Sequence, residues 1–455
     1  MTATRPHNPP LKMHLRVFLL GTIVLVVVAL ILGAISFAFL YESPSIRYKF
    51  GWDKTMLRTG KIVGLTACVL LFLQLPVAGR IKFLDHILSL PRLYNIHRIN
   101  GIVIGVLVLM HPILVTLPEN RFMVPLEMRY WPEWVGVVLL AALLVQITVG
   151  IWRTVLIKRY PQWLFFHRII GWTILALLLI HLLYVSETFE HDGLPRAVAL
   201  GTAGLLTILW LAIRTQRLWA RKNSYVISVL EPVGGNAYVV EMKPTTQNHF
   251  SYLPGQFAFF SFRSRNLSSE WHPFSFSSSP TKAESLQIIV RGSGDWTKRI
   301  HRLEIGDRVY IHGPFGHFSH LIEPSRRELI LIAGGIGITP ILSMLRAMRD
   351  KGDQSRITLL WSNKRTQHVF NLDELTRLPH NLPNFIWKPV FTAEKTYEGE
   401  FGRLNLNRLK TLLADCSRDA VIFLCGPPGM IKQVRSHLIT IGFPASSIRQ
   451  ELFGL

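Results

Sequence analysis

The chain is short of cysteine and of charged residues. Its 455 residues include only three cysteines, Cys68, Cys416 and Cys425, and no two of them form a C-x-x-C pair. This spacing signals neither a disulfide framework nor a thiolate zinc site. Charged residues make up 17% of the chain and hydrophobic residues 49%, which is an oily composition for a soluble protein. The length is sufficient for two or three domains.

Acidic residues are scarcer than basic ones. The chain has 28 Asp and Glu against 50 Lys and Arg, which gives a formal net charge of +22. A nucleic-acid-binding protein could have this charge, but here the basic residues flank apolar runs, as is typical of membrane proteins. The basic second half would also attract an anionic cofactor. The composition therefore favours a lipid bilayer over nucleic acid as the partner.

Six apolar segments reach or nearly reach the length of about 20 residues that a membrane-spanning helix needs. The first follows a polar, basic tail of residues 1–16. It is longer than a signal-peptide core and ends without an A-x-A-like site, so it is predicted to be retained. The predicted spans are residues 17–40, 60–79, 98–117, 134–152, 167–185 and 196–213. The basic loop residues predict a multi-pass protein of the plasma (inner) membrane with both termini in the cytoplasm.

Two of these segments carry histidines at the same spacing. HRINGIVIGVLVLMH runs from His97 to His111, and HRIIGWTILALLLIH runs from His167 to His181. Fourteen residues of α-helix rise about 21 Å and return close to the starting face. The loop charges make the two helices parallel, so His97 is predicted to face His167 and His111 to face His181. Facing histidines can supply both axial ligands of a haem iron, and two pairs predict two b-type haems.

Simpler roles remain open for these residues. Each histidine alone could be an ordinary interfacial residue, but the recurring spacing favours a function for the set, since ionisable groups within membrane segments are costly. A metal-ion site is the weaker alternative, because no carboxylate or thiol joins the four imidazoles. Arg98 and Arg168, which follow the inner histidines, could pair with haem propionates or serve as simple positive-inside anchors. No further repeat is evident.

The sequence pattern changes near residue 223. Short alternating runs, among them SYVISVL, AYVVEM, FAFFSF and LQIIVR, predict a small antiparallel β domain. From about Glu328 strands alternate with helical stretches, which predicts a parallel sheet with crossover helices. The predicted architecture is a six-helix transmembrane bundle at 17–222, an antiparallel β-barrel at 223–322 and an α/β parallel-sheet domain at 323–455.

Two stretches of the β domain contain candidate phosphate and flavin ligands. EWHPFSFSSSP offers hydroxyls, backbone amides and the flat apolar side chains of Phe274 and Phe276; a polar β-turn is the alternative. QIIVRGSGDWTKRI predicts a strand, a turn and a helix start at Trp296 and Thr297. Amides at such a start, together with Arg291, could bind a pyrophosphate.

The α/β domain contains a glycine-rich turn, in ELILIAGGIGITPILSMLRAM. Gly334, Gly335 and Gly337 would let the backbone approach a diphosphate where Thr339 and Pro340 open a helix. The strict G-x-G-x-x-G pattern is absent, so this signal alone is weak.

The following strands add candidate nucleotide ligands. After LLWSNKR, Ser362, Lys364 and Arg365 lie where an NAD site often has an acid and an NADP site a basic group, which favours NADPH over NADH; a solvated basic loop is the alternative. VIFLCGPPGM ends a strand at the carboxyl edge, where such sheets bind ligands. The residues at that end are Cys425, Gly426 and Pro427. Cys425 could lie near a nicotinamide or be a small buried residue.

From about the second span onward, the chain resembles the ferric reductase and NADPH oxidase superfamily. Its second half resembles flavoproteins of the ferredoxin–NADP reductase type. The shared motifs are the paired His-x13-His helices, HPFSFSS, VRGSGDWT, GPFGHF, AGGIGITP, LCGPPGM and the terminal ELFGL. The resemblance implies that NADPH passes hydride to FAD, which releases single electrons through an inner and an outer haem to an external acceptor.

The resemblance also implies roles for individual residues. On the flavin side it assigns His272, Pro273, Phe274 and Ser275, and on the pyrophosphate side Val290, Arg291, Trp296 and Thr297. Phe453 would correspond to the C-terminal aromatic residue that covers the isoalloxazine until nicotinamide displaces it, although two residues follow it here. Phe453 and Cys425 are the predicted catalytic residues.

Several functions are compatible with this sequence. The first is an oxidase that reduces O₂ to superoxide, and a ferric-chelate reductase with the same electron path is the alternative. A membrane haem protein or redox sensor without steady turnover is an alternative of another class, which sustained NADPH oxidation would exclude. A basic peripheral or nucleic-acid-binding protein is disfavoured by the six predicted spans.

Overall fold

The computed structural model of the protein describes residues 13–119, 124–157, 159–185, 189, 193–220, 224–246, 249–282, 284–323, 328–395 and 399–452. The chain divides into a compact unit at Leu11–Gln216 and a second one at Arg217–Leu455.

The first unit is helical. Its helices are α1 (Met13–Leu40), α2 (Gly51–Ala78), α3 (Lys82–Leu88), α4 (Leu90–Thr116), α5 (Trp131–Ile151), α6 (Arg153–Leu156), α7 (Tyr160–Val185) and α8 (Leu194–Ala220). Within the described residues, six helices are long and apolar enough to cross a membrane, namely all except α3 and α6. The chain is a multi-pass membrane protein.

Two histidine-bearing helices begin earlier than their apolar runs. α4 begins at Leu90 and α7 at Tyr160, whereas the predicted spans start at residues 98 and 167. Pro91 and Pro161 lie in the first turns, where a missing amide hydrogen has no intrahelical partner to lose. His97 and His167 therefore lie two turns inside their helices.

Four helices form the centre of the bundle. α2 packs against α4, α5 packs against α7, and α4 also contacts α5. Their shared core is a small apolar cluster of Cys68, Ile104, Leu139, Leu143, Ile174 and Leu178. Large apolar side chains elsewhere on the spans, such as Leu25 and Val106, are exposed on the isolated chain, as expected of helices that face lipid.

The second unit begins with an antiparallel sheet. Its strands are β1 (Ser224–Pro232), β2 (Ala237–Pro244), β3 (Phe257–Arg263), β4 (Trp271–Ser275), β5 (Leu286–Arg291) and β6 (Arg308–Phe315), in the order β4-β3-β6-β1-β2-β5. A bridge between Phe276 and Ile288 joins the two ends of the sheet. The apolar faces enclose one core, which includes Phe260, Phe262 and Trp296.

The remaining elements form an α/β domain. They are β7 (Glu328–Gly334), α9 (Ile338–Asp350), β8 (Arg356–Asn363), α10 (Leu372–Arg377), β9 (Phe385–Phe391), β10 (Glu400–Phe401), α11 (Leu406–Leu412), β11 (Val421–Gly426), α12 (Pro428–Thr440) and β12 (Ile448–Leu452). The strands are parallel in the order β10-β9-β8-β7-β11-β12. The strand order reverses between β7 and β11, which is where doubly wound sheets bind ligands. The predicted fold class is confirmed in all three parts.

Candidate functional site

The four membrane histidines form two pairs on α4 and α7. The ring centroids of His97 and His167 are 6.1 Å apart with planes inclined at 67°, and those of His111 and His181 are 6.5 Å apart at 86°. Two imidazoles bound end-on to one metal at about 2 Å have centroids about 6 Å apart, because each centroid lies about 1 Å behind its nitrogen. Both pairs have the separation that bis-imidazole ligation requires.

The composition of these pairs suits haem better than a bare metal ion. Among the residues that the structure describes, no group of three or more His, Cys, Asp or Glu side chains is placed to hold a metal ion. Two imidazoles alone leave a zinc or copper ion short of ligands. Haem iron already has four porphyrin nitrogens and takes only axial ligands from the protein. The residues present therefore fit two bis-histidine haems.

His111 and His181 each lie against a glycine of the preceding membrane helix. A Cβ atom at Gly64 of α2 would lie 2.6 Å from Nδ1 of His111, and one at Gly136 of α5 would lie 2.7 Å from Cε1 of His181. Nδ1 of His111 is 2.9 Å from the carbonyl oxygen of Gly60. If Nδ1 donates a proton to that oxygen, Nε2 is left free as a metal ligand.

His97 and His167 each accept a hydrogen bond at the main-chain carbonyl oxygen. Nε2 of Gln74 donates to the carbonyl oxygen of His97 over 3.1 Å, and Nε2 of Gln146 donates to that of His167 over 2.8 Å. Nδ1 of His97 is buried and has no hydrogen-bond partner among the described residues. His97 and His167 thus have matching supports from α2 and α5.

The sequence also has a second repeated spacing, in the helices that support the histidines. Gly64 precedes Gln74 by the same nine-residue gap that separates Gly136 from Gln146. The repeat is therefore not limited to the two histidine helices, as first expected, and extends to the helix before each of them. Arg98 and Arg168 are exposed beside the inner histidines, so their pairing with propionates stays a prediction.

In the barrel, the HPFS part of the stretch is a strand. β4 includes His272, Pro273, Phe274 and Ser275, and the polar turn begins only after it, at Pro280. The His272 ring stacks on Trp296 with centroids 4.3 Å apart, and its Nε2 is 3.4 Å from Glu270. Burial lowers the pKa of His272, and the Glu270 carboxylate opposes that shift.

Some side chains expected at the flavin lie in the barrel core. Phe276, Val290 and Trp296 are buried, so Phe276 offers no apolar surface to a cofactor, contrary to expectation. Alternation along a short strand does not reveal that the closing bridge turns Phe276 inward. The Trp296 indole donates to the carbonyl of Ser268 over 2.8 Å. Any contact of Val290 or Trp296 with a cofactor must be indirect or through the main chain.

The loop before Thr297 is closed by its own hydrogen bonds. A 3₁₀ helix at Thr297–Arg302 replaces the expected α-helix start. The Thr297 hydroxyl accepts the amides of Ser293 and Gly294 over 3.1 and 2.8 Å. These amides are thus engaged within the loop, and the charge for binding a phosphate must come from elsewhere.

Arg291 is the candidate source of that charge. Its guanidinium lies beside the glycine turn of the α/β domain, because a Cβ at Gly335 would lie 2.8 Å from Nη1 of Arg291. Gly335 has a φ of 53°, which glycine adopts at little cost. Nε and Nη2 of Arg291 have no hydrogen-bond partner among the described residues, and burial lowers the pKa of this group. A half-buried guanidinium with free donors suits a phosphate oxygen.

The two glycine turns of the α/β domain meet backbone to backbone. A Cβ at Gly337 would lie 2.4 Å from the carbonyl oxygen of Cys425, and one at Gly426 would lie 3.1 Å from Cα of Gly334. A Cβ at Gly334 would lie 2.9 Å from Cδ of Pro427. The turns after β7 and β11 therefore pack in direct contact at the switch point, where the strand order of the sheet reverses.

Three further predicted residues have mainly structural contacts. Thr339 donates from its hydroxyl to the carbonyl of Ile336 over 2.9 Å, and both Thr339 and Pro340 are buried. Cys425 is also buried, and burial raises the pKa of its thiol well above the usual value. This thiol is therefore neutral at physiological pH. Phe453 lies outside the described residues, and its role stays a prediction.

A polar cavity lies after β8 and β9, at the carboxyl edge of the sheet. Its volume is about 310 Å³, and its lining residues are Arg365, Thr366, Gln367, Ala393 and Glu394. The amide of Thr366 donates to Glu394 over 2.8 Å; this bond, with Arg365 nearby, lowers the pKa of that carboxyl. The cavity thus combines the basic group that suits a 2′-phosphate with an acid that could hold a ribose diol.

Glu394 is a candidate site residue that the sequence reading missed. The acid of a dinucleotide site is expected after the second strand of the domain, but Glu394 follows the third strand, β9. Ser362 is half-buried at the end of β8, and Lys364 is exposed. The preference for NADPH therefore remains a prediction.

Three family models match successive parts of the chain. Residues 63–178 match a ferric reductase like transmembrane component, residues 224–319 an FAD-binding domain and residues 331–436 an oxidoreductase NAD-binding domain. The first match includes α2, α4, α5 and most of α7, and the other two correspond to the barrel and the α/β domain.

Curated relatives match the second half. NADH-cytochrome b5 reductase 1 of Candida glabrata is 29% identical over 184 residues, which are 38% of this chain and 64% of that protein. A flavohemoprotein of Deinococcus radiodurans is 31% identical over 263 residues, which are 54% of this chain and 60% of that protein. The chain spans about three fifths of the length of these relatives.

Among solved structures, the fold is similar to a flavohemoglobin from Malassezia yamatoensis with bound FAD and heme. The TM-score is 0.50 at 17% identity, over 90% of this chain and 99% of that one. At this identity the likeness concerns the fold alone.

Proposed function

We propose that this chain, which matches the ferric reductase and NADPH oxidase-like superfamily in its membrane, FAD-binding and NAD-binding parts, carries electrons from cytosolic NAD(P)H across the membrane to an external acceptor. The observation that carries the proposal is the pairing of His97 with His167 and of His111 with His181. These pairs are fourteen residues apart along α4 and α7, which is about 21 Å of the roughly 30 Å hydrocarbon layer.

In this proposal each part of the chain has a separate task. His97 with His167 and His111 with His181 would each hold one haem. FAD, when bound, would take the hydride of NAD(P)H as two electrons and a proton and would supply the electrons singly to one-electron carriers such as haem. Arg291 neutralises a cofactor phosphate beside the Gly335 turn, and the buried edge at Cys425 keeps water from the nicotinamide. The proposed domain bounds remain residues 17–222, 223–322 and 323–455.

The direction of transfer follows from the basic residues around the bundle. Arg80, Lys82 and Arg92 lie near the α3 end of α2 and α4, on the same side as His97. Basic loops stay in the cytoplasm, so His97 and His167 form the inner site and His111 and His181 form the outer site. Both termini are then cytoplasmic, with the plasma membrane as the proposed location.

We favour O₂ as the acceptor, with superoxide as the product. A bis-histidine haem has no open coordination position, so an acceptor must react at the haem edge. At the outer end of α2, Arg47 is ion-paired with Asp53 over 3.3 Å, and Lys54 and Arg58 are both ion-paired with Glu42. Their charges are partly neutralised, which suits a small neutral acceptor better than an anionic ferric chelate.

The acceptor can be identified with purified full-length protein. NADPH-driven cytochrome c reduction is measured with and without superoxide dismutase, and ferric-chelate reduction is measured in parallel. Dismutase is expected to suppress most of the cytochrome c signal. No effect of dismutase, together with consumption of ferric chelate, would instead support a ferric-chelate reductase. Absence of sustained NADPH oxidation would support a sensor.

The charged side chains that line the polar cavity predict how KM for NADPH and KM for NADH respond to substitution. Arg365→Ala is expected to raise KM for NADPH about tenfold more than KM for NADH, because a charged hydrogen bond contributes about 1.5–3 kcal/mol and an exposed one less. Glu394→Gln is expected to change the ratio in the opposite direction, because it removes a negative charge beside the 2′-phosphate. Lys410→Ala, an exposed substitution on α11, is the matched control. Equal changes for both nucleotides in Arg365→Ala would contradict a 2′-phosphate contact.

A further inference from the structure

The membrane unit contains two copies of one helix pair. In each copy a helix with glycine and glutamine at fixed spacing precedes a helix with two histidines. The first copy has Gly64 and Gln74 on α2, then His97, Gly101 and His111 on α4. The second copy has Gly136 and Gln146 on α5, then His167, Gly171 and His181 on α7. Each copy contributes one histidine to the inner pair and one to the outer pair.

The two ends of each copy support their histidines differently. At the outer end the imidazole lies directly against the glycine backbone of the preceding helix. At the inner end the glutamine reaches the carbonyl oxygen of the histidine itself, over 3.1 Å in the first copy and 2.8 Å in the second. The inner support is therefore a hydrogen bond to the main chain of the ligand. The outer support acts on the imidazole itself, through the glycine contact and, at His111, also through the carbonyl oxygen of Gly60.

A glycine four residues after each inner histidine leaves room for the glutamine amide to reach the carbonyl oxygen of that histidine. In an α-helix the carbonyl of His97 already accepts the amide of the residue four positions later, which is Gly101, and Gly171 has the same relation to His167. A Cβ at Gly101 would lie 3.5 Å from Nε2 of Gln74, and one at Gly171 would lie 3.7 Å from Nε2 of Gln146. A larger side chain would compete with the glutamine for this space.

The Gln74 amide forms no wider polar network. Its Oε1 atom is buried and has no hydrogen-bond partner in the part of the chain that the structure describes. A buried polar atom without a partner is costly, and it is more so in a span that water does not reach. Within the described residues, the hydrogen bond to His97 is the one that uses the side-chain amide of Gln74, so a role at the inner ligand explains its presence better than general packing does.

We infer that Gln74 and Gln146 are positioning residues of the inner haem site, an inference that rests on the proposed two-haem function. Each amide adds a second donor to the carbonyl of one inner ligand. The hydrogen bond from Gln74 fixes the helical turn at His97 relative to α2, and the hydrogen bond from Gln146 fixes the helical turn at His167 relative to α5. The pair thereby sets the ligand orientation and the reduction potential of the inner haem separately from those of the outer haem.

The test uses the double variant Gln74→Met/Gln146→Met in the full-length holoprotein. Methionine keeps the length and the apolar contacts but cannot donate. The measurements are haem per chain, the low-spin electron paramagnetic resonance spectrum of each haem, and a potentiometric titration. One haem is expected to shift in both its spectrum and its potential while the other keeps both, with the haem content unchanged.

Asn100→Leu is the matched control, because Nδ2 of Asn100 donates to the carbonyl of Leu70 over 2.9 Å between the same helices, α4 and α2. It should shift neither haem. Each single glutamine variant should shift the spectrum and the potential of the same haem by a smaller amount. If the double variant does not fold, the single variants serve as the test. Unchanged spectra and potentials in the variants, or equal shifts of both haems, would overturn the inference. A wild-type chain without haem would overturn the proposed function as well.

Discussion

Replacing His181 with alanine is expected to remove one haem and to abolish transfer to the external acceptor, while NADPH continues to reduce the flavin. His181 faces only His111 among the ligating histidines, with centroids 6.5 Å apart. A single imidazole cannot supply both axial ligands of a low-spin haem. Haem content should therefore fall from about two to about one per chain, measured by pyridine haemochrome on purified protein.

His14→Ala is a matched control, because His14 is an exposed histidine of α1 and should leave both haems bound. Gly136→Ala tests the same site without removing a ligand. Its added Cβ would lie 2.7 Å from His181, so a partial loss of the same haem is expected. If His181→Ala retains both haems with unchanged spectra, the assignment of the outer pair is wrong.

Replacing Arg291 with alanine is expected to weaken FAD binding about a hundredfold. Two of its donors, Nε and Nη2, have no partner among the described residues, and each charge-assisted hydrogen bond to a phosphate contributes about 1.5–3 kcal/mol. The variant should lose flavin during purification and regain NADPH oxidation when FAD is added in excess. Fluorescence titration of the flavin measures the affinity.

Arg308→Ala is the control for charge, since Arg308 is exposed on β6 of the same barrel. Haem content should remain at the wild-type level in both variants, because the histidine pairs belong to the membrane unit. Wild-type affinity of Arg291→Ala for FAD would show that the guanidinium binds something other than the flavin phosphates.

The architecture and the histidine pairs are predictable from the sequence because each depends on a strong, regular signal. Long apolar runs predict spans, and the change from helical to alternating patterns near residue 223 predicts the barrel. The equal histidine spacing gives the pairing once the loop charges make α4 and α7 parallel. The helix starts at Leu90 and Tyr160 precede the predicted spans because those spans were set by the apolar length that a bilayer needs.

Residues whose role depends on tertiary contact were harder to predict. Gln74 and Gln146 each look like an isolated polar residue of an apolar helix, and only the partner helix reveals what the amide reaches. Phe276 and Trp296 were assigned to the flavin from their motifs, but closure of the barrel turns both into its core. Glu394 lines the polar cavity through the loop after β9, which local sequence does not connect with Arg365.

An anaerobic reductive titration of the purified holoprotein with NADPH tests the two-haem path most directly. The chain should take up about four electrons, two in the flavin and one in each haem, and His181→Ala about three. Both low-spin haem spectra should become reduced in the wild type. Uptake that stops at the flavin, or a wild-type protein without bis-histidine haem, would contradict the account.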